Sequence, residues 1–142
     1  MLSDGVEGLR RKLAAASSTQ DFQSVGHGAR ELLISAGQAV FEPAVHTSPK
    51  GRVSLTDAKE MLGAVVGHAL PGKGNEESRK FVRAAVDLAN AVQHDRAASY
   101  RDAALCVEAC ASVVSLLFIL KGGTIAAREP WEGVSDGSRF FA

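Results

Sequence analysis

Four polar side chains recur along one stretch of this chain at helical spacing: Arg83, Asp87, Asn90 and His94. At about 100° per residue they fall within roughly a sixth of a helix circumference. Phe81, Ala85, Leu88 and Val92 line the opposite side, which gives that side a reason to be buried. A histidine at the C-terminal end of a helix has its cationic form favoured by the helix dipole. Asp95 and Arg96 follow in a turn, and Arg101 opens the next helix. Cleavage of an RNA phosphodiester needs a proton acceptor for the 2′-hydroxyl, a proton donor for the leaving oxygen and positive charge for the phosphorane-like state. His94 could act as acid or base, and Arg96, Arg101 or Arg83 could supply charge. The competing reading is a solvated helix face that happens to end in a histidine.

Other chemistry finds less support. Gly67 to Gly74 nearly matches a phosphate-binding P-loop. It ends in Gly74 where Ser or Thr must hold magnesium, and the preceding stretch reads as helix rather than strand. A helix stop and turn explains it better. His27, His46 and His68 have no ligand spacing to one another or to a carboxylate pair and read as surface or half-buried residues. Cys106 and Cys110 lie four apart on the apolar stripe that continues through Val113 and Leu117, so they read as small buried residues. A disulfide four apart in a regular helix has poor geometry, and no second Cys/His cluster faces them. There is no His-Glu-x-x-His and no paired CxxC. The reading therefore involves no metal and no cofactor.

The elements that must position these residues are helical. Several segments show a period of 3.6 and none sustains period-two alternation. A short helix is expected over 5–16, with Val6, Leu9 and Leu13 as its apolar line. Ser17 to Asp21 breaks it and offers caps. A second helix runs from about Asp21 to Phe41 and buries Phe22, Val25, Ala29, Leu32, Leu33, Ala36 and Val40. Gly26 and Gly28 either weaken it or let a neighbouring helix approach closely. Pro43, Pro49 and Gly51 mark an exposed loop over 42–54. A third helix is expected over 56–70, then a turn at Pro71 to Gly74. Asn75 is the expected N-cap of the fourth helix, which reaches about His94. Ser99 and Asp102 form a capping box for a fifth helix that closes near Lys121-Gly122-Gly123. The fold expected is all-α: a single bundle of about five helices over 1–123, with a tail over 124–142. Trp131, Phe140 and Phe141 in that tail would dock on the body or on a partner.

With 16 basic and 16 acidic residues among 142, the formal charge is zero. No overall basic field draws the chain onto nucleic acid, so a nucleic-acid binder would need a local basic patch or a partner that supplies one. The N-terminus lacks a basic-then-apolar secretory pattern. The run 103–120 is the one membrane candidate. Arg101, Glu108, Ser112 and Ser115 give it a polar stripe, which suits an amphipathic core helix. A cytoplasmic protein that does not enter a membrane is expected.

A long helix ending in Asn90-Ala91-Val92-Gln93-His94, a polar turn and a second long helix resemble the C-terminal half of a HEPN domain. Ala29 to Ala36 resembles the early core helix of such bundles, and the resemblance covers about 21–121. It implies an all-α domain of the abortive-infection or toxin–antitoxin type, with two long antiparallel C-terminal helices that commonly pair in a homodimer. The family's ribonuclease motif is Arg, often followed by Asn, then a few residues, then His. Asn90 and His94 match, but the position before Asn90 is Ala89. The resemblance then implies that Arg96, Arg101 or Arg83 replaces the missing arginine, or that the domain is catalytically silent and binds RNA, a nucleotide, or a partner such as a cognate antitoxin or defence protein. The candidate catalytic set is His94, Asn90 and Arg96, with Arg83, Asp87 and Arg101 as substrate contacts. A metal-independent endoribonuclease is the alternative to the silent module, and a purely structural interaction protein is a third. Val82, Val86 and Ala89 form an apolar strip that a second subunit or the same subunit could cover.

Overall fold

The computed structural model describes residues 2–122. The tail over 124–142, with Trp131, Phe140 and Phe141, lies outside the described residues. Five α-helices occur among the described residues, in order: α1 (Leu2–Ala15), α2 (Thr19–Val40), α3 (Ala58–Ala69), α4 (Glu76–His94) and α5 (Tyr100–Leu120). A 3-10 turn, Lys73–Asn75, precedes α4. No strand occurs among the described residues, and one isolated bridge pairs Ser48 with Gly51. The arrangement is the helical bundle expected from the 3.6-residue periodicity.

The local signals explain the ends. Ser18 caps α2 by accepting the Asp21 N–H at 3.1 Å, while the Asp21 carboxylate accepts the Ser17 and Ser18 N–H groups at 2.9 and 3.3 Å. Ser99 and Asp102 repeat this capping box at α5. Asp57 caps α3 by accepting the Glu60 N–H at 3.0 Å. Asn75 is the N-cap residue of α4, as expected, but its side chain does not cap the helix. Its side chain donates to the Pro71 carbonyl at 3.0 Å and makes no cap bond to α4, because the 3-10 turn already occupies the helix entrance. The Gly67–Gly74 stretch is a helix stop and turn. Gly72 takes a φ of 86°, and Arg79 donates to the Leu70 and Gly72 carbonyls at 2.7 and 2.6 Å. The glycine provides the turn, and the guanidinium satisfies carbonyls left over at the α3 C-terminus.

The two capping aspartates carry a pH prediction. The Ser17 N–H, joined by the Ser18 N–H and hydroxyl, holds Asp21 below the ordinary carboxylate value of 3.8. The Ser99 N–H and hydroxyl do the same for Asp102, with the Arg101 charge adding to the effect. A carboxyl with a lowered folded pKa contributes stability that is present above its unfolded value and is lost as pH falls through the folded one. The melting temperature of Asp21→Asn and Asp102→Asn should therefore be lower than wild type at pH 6. The gap should close in the window below the ordinary carboxylate value.

The core is one cluster centred on α2. Val25, Ala29, Leu33 and Ala36 are fully buried there, against Met61 and Leu62 of α3, Val82 and Ala89 of α4, and Val107 and Val113 of α5. α2 packs on each of the other four helices. Phe22 and Leu32 sit half-buried at its margin. α5 is the one helix among the described residues long and apolar enough, by length and composition, to cross a membrane, with a mean hydropathy of 2.3 in its most apolar window. It lays Ala103, Cys106, Val107, Cys110, Val113 and Leu117 on α1, α2 and α4 and turns Arg101, Glu108, Ser112 and Ser115 outward. Cys106 and Cys110 are both buried, and the Cys110 thiol lies 3.8 Å from the Ala29 carbonyl. Burial pushes the Cys106 thiol up to about 11 and Cys110 to about 12, the latter also raised by its neighbour. The thiolate is the nucleophile. Alkylation of both cysteines at pH 8 should therefore track global unfolding, which a mass-labelled urea titration would read. Modification of either thiol in the folded protein would contradict this account.

Candidate functional site

α4 was expected to bury Phe81, Ala85, Leu88 and Val92. The structure buries Ala85 and Val92 as expected, but with Val82, Val86 and Ala89 beside them, while Phe81 is 41% exposed and Leu88 half-buried. The buried arc is centred roughly 65° further round the helix than the apolar pattern indicates, at about 100° per residue. α4 touches α2, α3 and α5 together, so its core face is wider than a single apolar stripe. Val82, Val86 and Ala89, the strip open to either partner, are covered by this chain's own core.

The polar face is nonetheless exposed along its length. Arg83, Asp87, Asn90 and His94 all reach the surface, as do Arg96 and Arg101 beyond the turn. The C-terminal end of α4 is fixed by α2. Gln23 donates to the Asp95 carbonyl at 2.8 Å, and Gln93 Nε2 lies 3.1 Å from His27 Nδ1. A Cβ on Gly26 would come within 2.7 Å of the Gln93 backbone nitrogen and 3.0 Å of the Val92 carbonyl carbon. Gly26 thus marks a close crossing of α2 and α4, one of the two roles its sequence left open. Beyond the helix, Ala97 N–H donates to Asp95 Oδ1 at 2.8 Å, Ala98 is buried, and Tyr100 packs edge-on against Phe22. His94 and Arg96 therefore flank an anchored turn.

The six candidate residues divide into two groups. Arg83 and Asp87 line a groove of about 1080 Å³ between α3, α4 and the 47–50 segment of the preceding loop. Asn90, His94, Arg96 and Arg101 do not line it. Asp87 is engaged there by Lys59, whose Nζ lies 2.9 and 3.1 Å from its two oxygens. Among the described residues, Arg83, Asn90, His94 and Arg96 have no side-chain hydrogen bond or ion pair. His94 and Asn90 lie one helical turn apart on a common exposed face, and Arg96 is the nearest cation in sequence.

Lys59, Gly63, Gly67 and His68 of the groove were not singled out as a site from the sequence. Their signal was the i, i+4 run Lys59, Gly63, Gly67 on the outer side of α3. The loop beside them is held by Ser48 bonded to Glu60, and by His46, whose Nδ1 accepts the Glu42 N–H at 2.9 Å. His46 also stacks edge-on with His68 at 5.4 Å between ring centres. Burial, and then the neighbouring His68, lower the His46 pKa, in keeping with a neutral ring that accepts a hydrogen bond. The histidine reading holds: His27 and His68 are exposed and His46 is half-buried. No group of three or more His, Cys, Asp or Glu that could hold a metal occurs among the described residues.

Compared with protein-family models, with curated proteins and with solved structures, the chain matches none.

Proposed function

We propose that this chain is a HEPN-like binding module of a prokaryotic defence-type system. It acts in the cytoplasm as a homodimer, engages RNA, a nucleotide or a partner protein through the outer face of α4, and lacks strong catalysis. One observation carries this reading. Ala89, where the family's motif has arginine, is 0% exposed and faces the bundle core. The helix thus presents Asn90 and His94 to solvent without a cation on the preceding residue. An oxyanion developing at a phosphate would lack the charge that such chemistry uses.

A second reading keeps the ribonuclease. The exposure of His94, Asn90 and Arg96 around one anchored turn favours it, with Arg96 in place of the missing arginine. Incubating a labelled structured RNA with wild type and His94→Ala in EDTA separates the two. The binding module predicts no cleavage by either protein. Cleavage by wild type that is lost in the variant, with cyclic-phosphate ends, would replace it with a metal-independent endoribonuclease.

A further inference from the structure

We propose that the groove between α3 and α4 binds the phosphate group of a small molecule whose remaining part is a flat ring. The charges in the groove are unevenly satisfied. Of its three carboxylates, Asp57 caps α3, Glu60 accepts the Ser48 hydroxyl, and Asp87 is paired with Lys59. Lys80 is drawn to Glu76, one turn earlier on α4, at 3.3 Å. The side chains of Arg83 on one wall and Lys50 on the loop have no hydrogen bond or ion pair among the described residues, although both residues line the groove. The groove therefore offers two uncommitted cations, one of them a guanidinium suited to bidentate phosphate contact.

The floor identifies the rest of the ligand. Gly63, Ala64 and Gly67 of α3 and Ala84 of α4 carry no side chain beyond Cβ. A Cβ built on Gly63 or Gly67 meets nothing within 4 Å, so the space above both is open. A bare phosphate would leave most of about 1080 Å³ unused. A flat ring laid on this surface would occupy more of it and bury apolar area. The inference deepens the binding reading above and rests on it, but it concerns a surface separate from His94.

Titrating isotopically labelled full-length protein with AMP, inorganic phosphate and adenosine, followed by amide NMR shifts, tests it. AMP should shift the Gly63, Gly67 and Ala84 amides saturably and bind about tenfold tighter than phosphate or adenosine, since it alone supplies both contacts. Arg83→Gln should weaken AMP about tenfold, the size of a lost charge-assisted hydrogen bond. Gly63→Leu should abolish binding with the fold intact, because its side chain enters open space. No saturable shift with AMP, or AMP binding that survives Gly63→Leu, would overturn the site. Equal affinity for phosphate and AMP would overturn the ring. RNA cleavage at His94 would end the non-catalytic reading without altering this titration, whereas a flat titration without RNA cleavage ends this inference alone.

Discussion

Gly26→Ala is expected to destabilise the fold by about 2 kcal/mol, although alanine is the better helix former by about 1 kcal/mol. The new methyl would sit 2.7 Å from the Gln93 backbone nitrogen, and the neighbouring contacts at Val92 include backbone as well as a side chain. A backbone cannot rotate aside as a side-chain tip can. The strain must separate α2 from α4 or shift the end of α4, and overpacking of this kind typically costs about 1–3 kcal/mol. Gly63→Ala is the matched control. It meets nothing within 4 Å, so helix propensity alone should act and stabilise the protein by about 0.5–1 kcal/mol. Urea denaturation of the two variants should give midpoint shifts of opposite sign. A stabilised Gly26→Ala would mean that α2 and α4 do not cross at this glycine. Val92 and Gln93 immediately precede His94, so any loss of RNA or partner binding in Gly26→Ala would follow from displacement of the helix end.

Ala89→Arg carries the other large effect. Adding the family's arginine at this position would place a guanidinium in the centre of the bundle, where Ala89 is fully buried. No carboxylate is buried among the described residues to receive it. An unpaired buried charge costs several kcal/mol, comparable with the whole stability of many small domains. We expect a loss of about 4 kcal/mol or failure to fold, and no gain of RNA cleavage. Ala91→Arg, two residues on at an exposed position, should change stability by less than about 0.5 kcal/mol. A folded, cleaving Ala89→Arg protein would show that position 89 can face a substrate and would restore the ribonuclease reading.

These two variants also show where the sequence was informative. The helix ends were legible because they depend on local signals: Ser18 with Asp21, Ser99 with Asp102, and Pro43 after α2. The core stripe of α5 was legible because its apolar residues contrast with Arg101, Glu108, Ser112 and Ser115. α4 was harder. Its apolar residues spread over more than half the circumference, and periodicity alone could not tell which of Phe81 or Val86 faces inward. That choice depends on three neighbouring helices distant in sequence. The polar stripe itself was readable, since Arg83, Asp87, Asn90 and His94 are all exposed. Its division into a groove pair and a helix-end pair was not, because Lys59 reaches Asp87 from another helix. Nor could the spacing choose between the two roles of Gly26, which only the path of α4 decides.

The central position of α2 has a consequence for how the chain reaches this state. Its buried face is completed by α4 and α5, whose contacting residues lie about 70 to 80 positions later: Gln23 with Asp95, and Ala29 with Cys110. During synthesis, Val25, Leu33 and Ala36 stay only partly covered until α4 and α5 have emerged. The short connections joining α3 to α4 and α4 to α5 favour early local pairing, whereas docking α4 and α5 onto α1 and α2 closes loops of 72 to 98 residues, which slows folding. A ribosome-bound chain that stops before α5 would present a sticky, half-covered helix, a form open to chaperone capture and aggregation.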